Sequence, residues 1–282
     1  MSIQTCLTNG ITLAYEDVGA GDVWLCLHGI TSNLRSFGGL VQAGLGDGVR
    51  LLIPDMRGRG LSDKPATGYT LDDHAQDVLG LMDALGIAQA SLIGHSFGGL
   101  LSWYISRYYP ERVNKLVILD SALEIAHERV LSKIRPSLER LGKAMPSYAT
   151  FAEAMKVSPY YNDGSWDEDI DAMYRYDMEG LPDGGARSRV HKAGIEELID
   201  HILTHDWADI IRHAKHSTLL VRAAGGLDSG RAEAVVTARG AQETLALLQD
   251  GQLHTVTGNH MTMLFGAHAQ SLVGVIRAFL LS

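Results

Sequence analysis

Short apolar runs alternate with helix-like segments over the first 120 residues of the chain. Val23–Leu27, Arg50–Pro54 and residues 115–119 are near-continuous apolar runs, which predict strands that are buried on both faces. Between the second and third runs, apolar residues recur at helical spacing over residues 71–85. This alternation is typical of a parallel sheet that is covered by helices on both sides.

Both ends of the chain extend this pattern. Residues 3–7 and 11–15 flank Asn9-Gly10, a strong hairpin signal, so we expect the chain to open with an antiparallel pair of strands. Near the other end, residues 217–222 and 252–257 predict two further strands. An amphipathic helix is expected over residues 267–281.

The alternation lapses over residues 122–210, which are mostly helical in pattern. We therefore predict an α/β core formed by residues 1–121 and 211–282, and an inserted helical cap formed by residues 122–210. Large side chains are dense in the cap, and about a third of them would face a cavity while the others pack together. They are Tyr148, Phe151, Met155, Tyr160, Tyr161, Trp166, Met173, Tyr174, Tyr176 and Met178.

Composition narrows the class of protein. The net charge of −9 argues against a nucleic-acid surface. Cys6 and Cys26 have no metal or redox spacing, so we expect reduced thiols. No signal-peptide pattern and no apolar stretch of membrane-spanning length is present, which predicts a cytoplasmic protein without a membrane partner. Neither a metal motif nor a nucleotide fingerprint appears, so no cofactor is expected, and the oligomeric state stays open.

One turn carries the strongest chemical signal. Gly94-His-Ser96-Phe-Gly98 follows an apolar run and precedes a helical pattern that ends before Pro110. A serine flanked by glycines two residues away on either side matches the nucleophile elbow, a tight turn from strand to helix. Roughly one chain in five of this composition would contain such a pentapeptide by chance. Whether it is a nucleophile elbow therefore depends on the rest of the sequence.

The context supports the turn. Sites in parallel sheets lie beyond the carboxyl ends of the strands, which places His28, Asp55, Ser96 and Asp120 at one edge. A neutral serine is a weak nucleophile, so it needs a base that a third group orients.

Twelve histidines compete for the role of base. His260 is the best candidate, because its loop follows the last predicted strand and reaches the same edge. His254 lies within that strand and fits a packed or surface position. His95 is expected to flank the pocket, and His28 to be structural. The backbone N–H groups of Ile30 and Phe97 are the expected donors to an oxyanion.

Four motifs in this order resemble those of the α/β-hydrolase superfamily. They are His28-Gly29, Asp55-x-Arg57-Gly58-x-Gly60-x-Ser62-Asp63, Gly94-x-Ser96-x-Gly98-Gly99 and Gly258-x-His260. The resemblance covers nearly the whole chain. It implies a mostly parallel eight-stranded sheet, a hydrolytic Ser-His-Asp triad, and a structural role for the loop that contains Asp55.

The acid departs from the common pattern of that superfamily. Relatives usually carry it after the strand that corresponds to residues 218–222, but here that loop reads Ala223-Ala-Gly-Gly226. Asp120, which ends the preceding strand, is our first candidate, and Asp228 is the alternative. An acid at the position of Asp120 is similar to the arrangement in zearalenone-type lactonases and in acetamidomethylene succinate hydrolase.

These features together predict a serine hydrolase that cleaves a small to mid-sized, partly apolar ester or lactone. Amide cleavage, C–C bond cleavage with the same triad, and a weakly catalytic ligand receptor remain alternatives. Arg187, Arg189 and Arg222 are candidates to bind a substrate carboxylate, although solvated surface positions explain them equally well.

Overall fold

The computed structural model describes residues 2–126, 138–161, 164–226 and 233–282. The strands in these ranges are β1 (Gln4–Thr8), β2 (Ile11–Gly19), β3 (Val23–Leu27), β4 (Arg50–Pro54), β5 (Ala90–His95), β6 (Val113–Leu119), β7 (Ala144–Met145), β8 (Met178–Gly180), β9 (Ala186–Ser188), β10 (Thr218–Ala223) and β11 (Gly251–Val256). Eight of them form one sheet in the order β1-β2-β4-β3-β5-β6-β10-β11. The β1–β2 and β2–β4 pairs are antiparallel and the other pairs are parallel, which confirms the predicted fold class.

The α-helices of the described ranges are α1 (Gly38–Gln42), α2 (Leu71–Ala84), α3 (Phe97–Tyr108), α4 (Tyr148–Lys156), α5 (Glu168–Asp177), α6 (Lys192–Leu203), α7 (Trp207–Arg212), α8 (Ala238–Leu245) and α9 (Gly266–Leu280). Short 3-10 turns cover Leu34–Phe37, Pro110–Arg112, Leu123–Ala126 and Thr262–Leu264. Helix α2 begins at a capping box, in which the Thr70 side chain accepts from the Asp73 N–H and the Asp73 carboxylate accepts from the Thr70 N–H.

The sheet is buried on both faces, as its apolar strands require. Successive side chains of β3 alternate between two hydrophobic clusters: Leu25 and Leu27 belong to one, and Trp24 and Cys26 to the other. All four are almost fully inaccessible to solvent. Helices therefore cover both sides of the central strands, and the strand ends are the part of the sheet that remains open to a ligand.

The segment between β6 and β10 contains helices α4 to α7, in line with its helical pattern. It also contains a three-stranded antiparallel sheet in the order β7-β9-β8, which the sequence did not predict. Strands of two or three residues are too short to produce a visible alternation of apolar and polar positions.

Hydrogen bonds join this segment to the core around the strand ends. The Tyr176 hydroxyl donates to Asp55 Oδ2 over 2.6 Å. The Asn33 amide donates to the Met173 carbonyl over 3.1 Å, and the Asn259 amide donates to the Tyr160 carbonyl over 2.9 Å. These contacts place α5 and the residues after α4 above the carboxyl edge of the sheet.

Candidate active site

Ser96 occupies a strained turn between β5 and α3. Its backbone lies at φ 54° and ψ −117°, in a region that side-chain-bearing residues rarely adopt. A Cβ atom at Gly94 would lie 2.2 Å from the Gly98 carbonyl oxygen, and one at Gly98 would lie 1.9 Å from the Leu27 carbonyl oxygen. Only glycine fits at these two positions. This steric limit explains why glycines lie two residues before and two residues after Ser96.

Asp120 and His260 form a buried hydrogen-bonded pair. His260 Nδ1 donates to Asp120 Oδ2 over 2.7 Å, and the other carboxylate oxygen accepts from the Ala223 N–H over 2.8 Å. The Asp120 side chain is fully buried, and its backbone has a positive φ of 44° at the end of β6. With its one proton on Nδ1, a neutral imidazole in this position presents Nε2 as an acceptor.

The loop that carries His260 is fixed by its neighbours. Asn259 Oδ1 accepts from the backbone N–H groups of Met261 and Thr262, each over 2.9 Å. His95 Nε2 donates to the His260 carbonyl over 2.8 Å. The centres of the two imidazole rings lie 4.6 Å apart. The position of His260 is therefore fixed by Asn259 in its own loop and by His95 at the end of β5.

Ser96 and His260 open onto one cavity of about 370 Å³. Across the described ranges, no hydrogen bond joins the Ser96 hydroxyl to His260. The backbone N–H groups of Ile30 and Phe97, the two expected oxyanion donors, have no acceptor in the same part of the chain. Ile30 itself lines the cavity.

Five of the ten large side chains that the sequence singled out between residues 148 and 178 line this cavity. They are Phe151, Met155, Tyr160, Met173 and Tyr174. This is a larger share than expected. The wall opposite Ser96 is therefore mostly apolar and aromatic, as is typical of small-molecule sites.

Arg140 is a cavity residue that sequence reasoning missed. Its Nη1 donates to Asp177 Oδ2 over 3.0 Å, and the Ser188 hydroxyl donates to Asp177 Oδ1 over 3.0 Å. The Arg140 side chain is 19% exposed and that of Asp177 is 3% exposed, and both residues line the cavity. Arg140 stands outside every motif in the sequence, so no local signal distinguishes it from a surface arginine.

The three arginines proposed from the sequence lie elsewhere. Arg187 and Arg189 line a second, separate cleft, where Arg187 pairs with Glu179. Arg222 donates from Nε to the Val236 carbonyl over 3.2 Å. None of them lines the cavity beside Ser96.

The other candidate histidines have the environments that the sequence indicated. His28 is fully buried, accepts from the Met56 N–H at Nε2 and donates from Nδ1 to the Gly29 carbonyl. Burial lowers its pKa to about 3, so the ring is neutral. His95 lines the cavity, and burial holds its pKa well below the usual range. His254 is exposed on β11.

Of the two remaining candidate carboxylates, Asp55 and Asp228, the structure describes only Asp55. Asp55 is fully buried and accepts from the Leu34 and Leu61 N–H groups and from the Tyr176 hydroxyl, which fits a structural role. Burial raises its pKa above the usual value for a carboxyl group. Asp228, the alternative acid, lies outside the described residues.

Within residues 2–126, 138–161, 164–226 and 233–282, no three His, Cys, Asp or Glu side chains are grouped so that they could hold a metal ion. No helix there is long and apolar enough to cross a bilayer.

Comparison with known proteins agrees with the fold. The family model for the alpha/beta hydrolase fold matches residues 23–154. The matched stretch is slightly less than half of the chain, and the chain has the alpha/beta hydrolase fold.

Among individual relatives, 2-(acetamidomethylene)succinate hydrolase from Mesorhizobium japonicum is 42% identical over 110 residues, which is 39% of each chain. The match therefore spans about two fifths of that relative. 2-Hydroxymuconate semialdehyde hydrolase from Pseudomonas sp. strain CF600 is 27% identical over 94% of this chain and 90% of its own. A crystal structure of E-2-(acetamidomethylene)succinate hydrolase superposes with a TM-score of 0.84 at 24% identity, over the full length of both chains.

Proposed function

We propose that the protein is a serine hydrolase that cleaves a small to mid-sized, partly apolar carboxylic ester or lactone. The observation that carries the proposal is the common cavity of Ser96 and His260, with Asp120 hydrogen-bonded behind the imidazole. A nucleophile, a base and an orienting acid are the three groups that acyl transfer requires.

The mechanism follows from these positions. The Ser96 oxygen attacks the carbonyl carbon of the substrate, and its proton passes to His260 Nε2. The N–H groups of Ile30 and Phe97 stabilise the resulting oxyanion. His260 then protonates the leaving oxygen, which departs and leaves an acyl-enzyme. A water molecule, from which His260 removes a proton, attacks the acyl carbonyl carbon. His260 gives this proton to the Ser96 oxygen as its bond to the acyl carbon breaks and the carboxylic acid leaves. Hydrogen bonds between nucleophile and base are often long in a ligand-free site and shorten when substrate binds.

The composition of the cavity indicates the substrate class. Apolar and aromatic side chains such as Met155, Met173 and Phe151 favour a substrate with an apolar portion. The chain segment above the strand ends would shield the reacting carbonyl from water, which strengthens the electrostatic interactions that stabilise an oxyanion.

A second candidate is hydrolysis of an amide or a C–C bond in a substrate that carries a carboxylate. Arg140 favours it, because a guanidinium presented to a mostly apolar cavity matches a carboxylate in geometry and charge. By its name, the Mesorhizobium relative acts on a succinate, which is a dicarboxylate.

The test measures hydrolysis of p-nitrophenyl butyrate, a short lactone, an N-acyl amide and a vinylogous β-diketone acid by wild type and Ser96→Ala. We expect ester or lactone turnover that disappears in Ser96→Ala. Turnover of only the amide or diketone acid, weakened by Arg140→Met, would favour the second candidate. Tight binding of these compounds without Ser96-dependent turnover of any of them would contradict both and indicate a receptor.

A further inference from the structure

Arg59 is a buried cation without a carboxylate partner in the described part of the chain. Its side chain is 0% exposed. Its Nε donates to the Ile30 carbonyl over 3.0 Å, and its Nη1 donates to the Arg57 carbonyl over 2.6 Å and to His74 Nε2 over 2.7 Å. Its Nη2 is buried and has no hydrogen-bond partner there.

The neighbouring Arg57 differs from Arg59 because its guanidinium has a carboxylate partner. It lies in the same loop and is buried as well, but its Nε and Nη2 both donate to the Asp77 carboxylate over 2.6 Å. Its charge is therefore compensated by a carboxylate of α2. Arg59 instead has neutral partners, and taking an unpaired charge out of water is costly unless another interaction offsets the cost.

His74 is held in the form that accepts from Arg59. Its Nδ1 donates to the Thr70 carbonyl over 2.7 Å, which leaves Nε2 without a proton. Burial and the Arg59 charge hold the pKa of His74 well below its usual range. Burial also lowers the pKa of Arg59 to about 9, so the guanidinium remains charged at neutral pH. Protonation of His74 therefore does not remove the contact under physiological conditions.

Arg59 touches both residues whose backbone is expected to bind the oxyanion. Besides the hydrogen bond to the Ile30 carbonyl, its guanidinium carbon lies 5.5 Å from the centre of the Phe97 ring. The Phe97 ring also meets the His74 ring edge-on, with 5.2 Å between their centres. One side chain thus contacts both residues that supply the expected N–H donors.

We propose that Arg59 is a positioning residue for the oxyanion site, which fixes Ile30 and Phe97 and supplies a buried positive charge near the oxygen that becomes negative. The proposal rests on the function proposed above. A fixed charge in a low-dielectric interior stabilises developing charge far more than one in water does. The superfamily motif leaves position 59 open, so the resemblance does not assign this role.

The test compares Arg59→Gln, which removes the charge but can still donate a hydrogen bond, with Arg59→Lys, which keeps the charge. The probes are p-nitrophenyl butyrate for turnover and phenylboronic acid for an anionic adduct. The Ser96 oxygen adds to the trigonal boron, its proton passes to His260, and the tetrahedral boronate carries the negative charge. We expect Arg59→Gln to lower kcat/KM and the boronate affinity about 10²-fold with KM nearly unchanged, and Arg59→Lys to restore most of the loss.

Arg57→Gln is the matched control, because it loosens the same loop without removing the charge behind Ile30. A fall in boronate affinity in Arg57→Gln as large as that in Arg59→Gln would overturn the proposal in favour of a purely structural role. An unchanged boronate affinity in Arg59→Gln would also overturn the proposal. If Arg59→Gln does not fold, the same measurement is made on Arg59→Met, a second neutral variant. Absence of both turnover and a Ser96 adduct in wild type would instead overturn the proposed function and, with it, the role of Arg59.

Discussion

Asp120 and His260 are 140 residues apart in the chain, and one hydrogen bond of 2.7 Å joins their side chains. The carboxylate projects from the end of β6, and Asp120 N–H donates to the Val221 carbonyl of the neighbouring strand β10 over 2.7 Å. Its second oxygen is held by the Ala223 N–H. The last residue of β10 thus supplies a backbone donor to the Asp120 carboxylate at the end of β6.

We expect Asp120→Asn to lower kcat by about 10³–10⁴, because the amide can no longer hold His260 in the tautomer that accepts the Ser96 proton. Steady-state kinetics with p-nitrophenyl butyrate measure the loss, and thermal unfolding checks that the variant is folded. Asp228→Asn is the comparison variant. A large loss in Asp228→Asn together with an active Asp120→Asn would assign the acid to the other residue.

The turn at Ser96 should tolerate no side chain at Gly98. In Gly98→Ala the new Cβ would lie 1.9 Å from the Leu27 carbonyl oxygen, so the backbone of β3 or of the turn must move. We expect a loss of about 3 kcal/mol or more in the free energy of unfolding, measured with urea, and loss of activity. Gly274→Ala is the control: nothing lies within 4 Å of its Cβ position inside α9, so alanine should stabilise the protein by about 0.5–1 kcal/mol.

The hydrogen bond between Tyr176 and Asp55 should contribute to the attachment of α5 to the core. Tyr176→Phe removes a 2.6 Å donor from a buried carboxylate, for which we expect a cost of about 1–3 kcal/mol in urea unfolding. Tyr148→Phe is the matched variant, since its hydroxyl donates to Asp171 Oδ1 within the same segment, over 2.7 Å. Equal small losses in both variants would show that the bond to Asp55 has no special contribution.

His28 should make the protein less stable in acid. Its folded pKa is about 3, below the ordinary value of 6.5, so the unfolded chain binds a proton that the folded chain does not. Its contribution is complete above pH 6.5 and declines as the pH falls toward 3. The difference in unfolding free energy between wild type and His28→Gln should therefore shrink by about 2 kcal/mol from pH 7.5 to pH 5.0.

Urea unfolding of both proteins at the two pH values measures this change. Other titrating groups cancel in the difference, including Asp55 with its raised pKa. A constant difference across the pH range would mean that folding does not lower the pKa of His28.

The sequence by itself determined the strands of the eight-stranded sheet, helices α2, α3 and α9, and the turn at Ser96. These are local features: β3 and β4 have the predicted bounds, and α2 ends one residue before the predicted end. Apolar periodicity and the steric requirement for glycine involve only a few neighbouring residues, so both can be recognised from the sequence alone. The order of Ser96, Asp120 and His260 along the chain can be recognised for the same reason.

Tertiary structure alone decided which side chains meet. The contacts of Asp120 with Ala223 and His260, and of His95 with the His260 carbonyl, join residues separated by 103 to 165 positions. Arg140 and Arg59 have no distinguishing local pattern, and only the packed chain places one in the cavity and the other behind Ile30. Long-range contacts depend on how strands are ordered in the sheet, and a pattern of neighbouring residues does not encode that order.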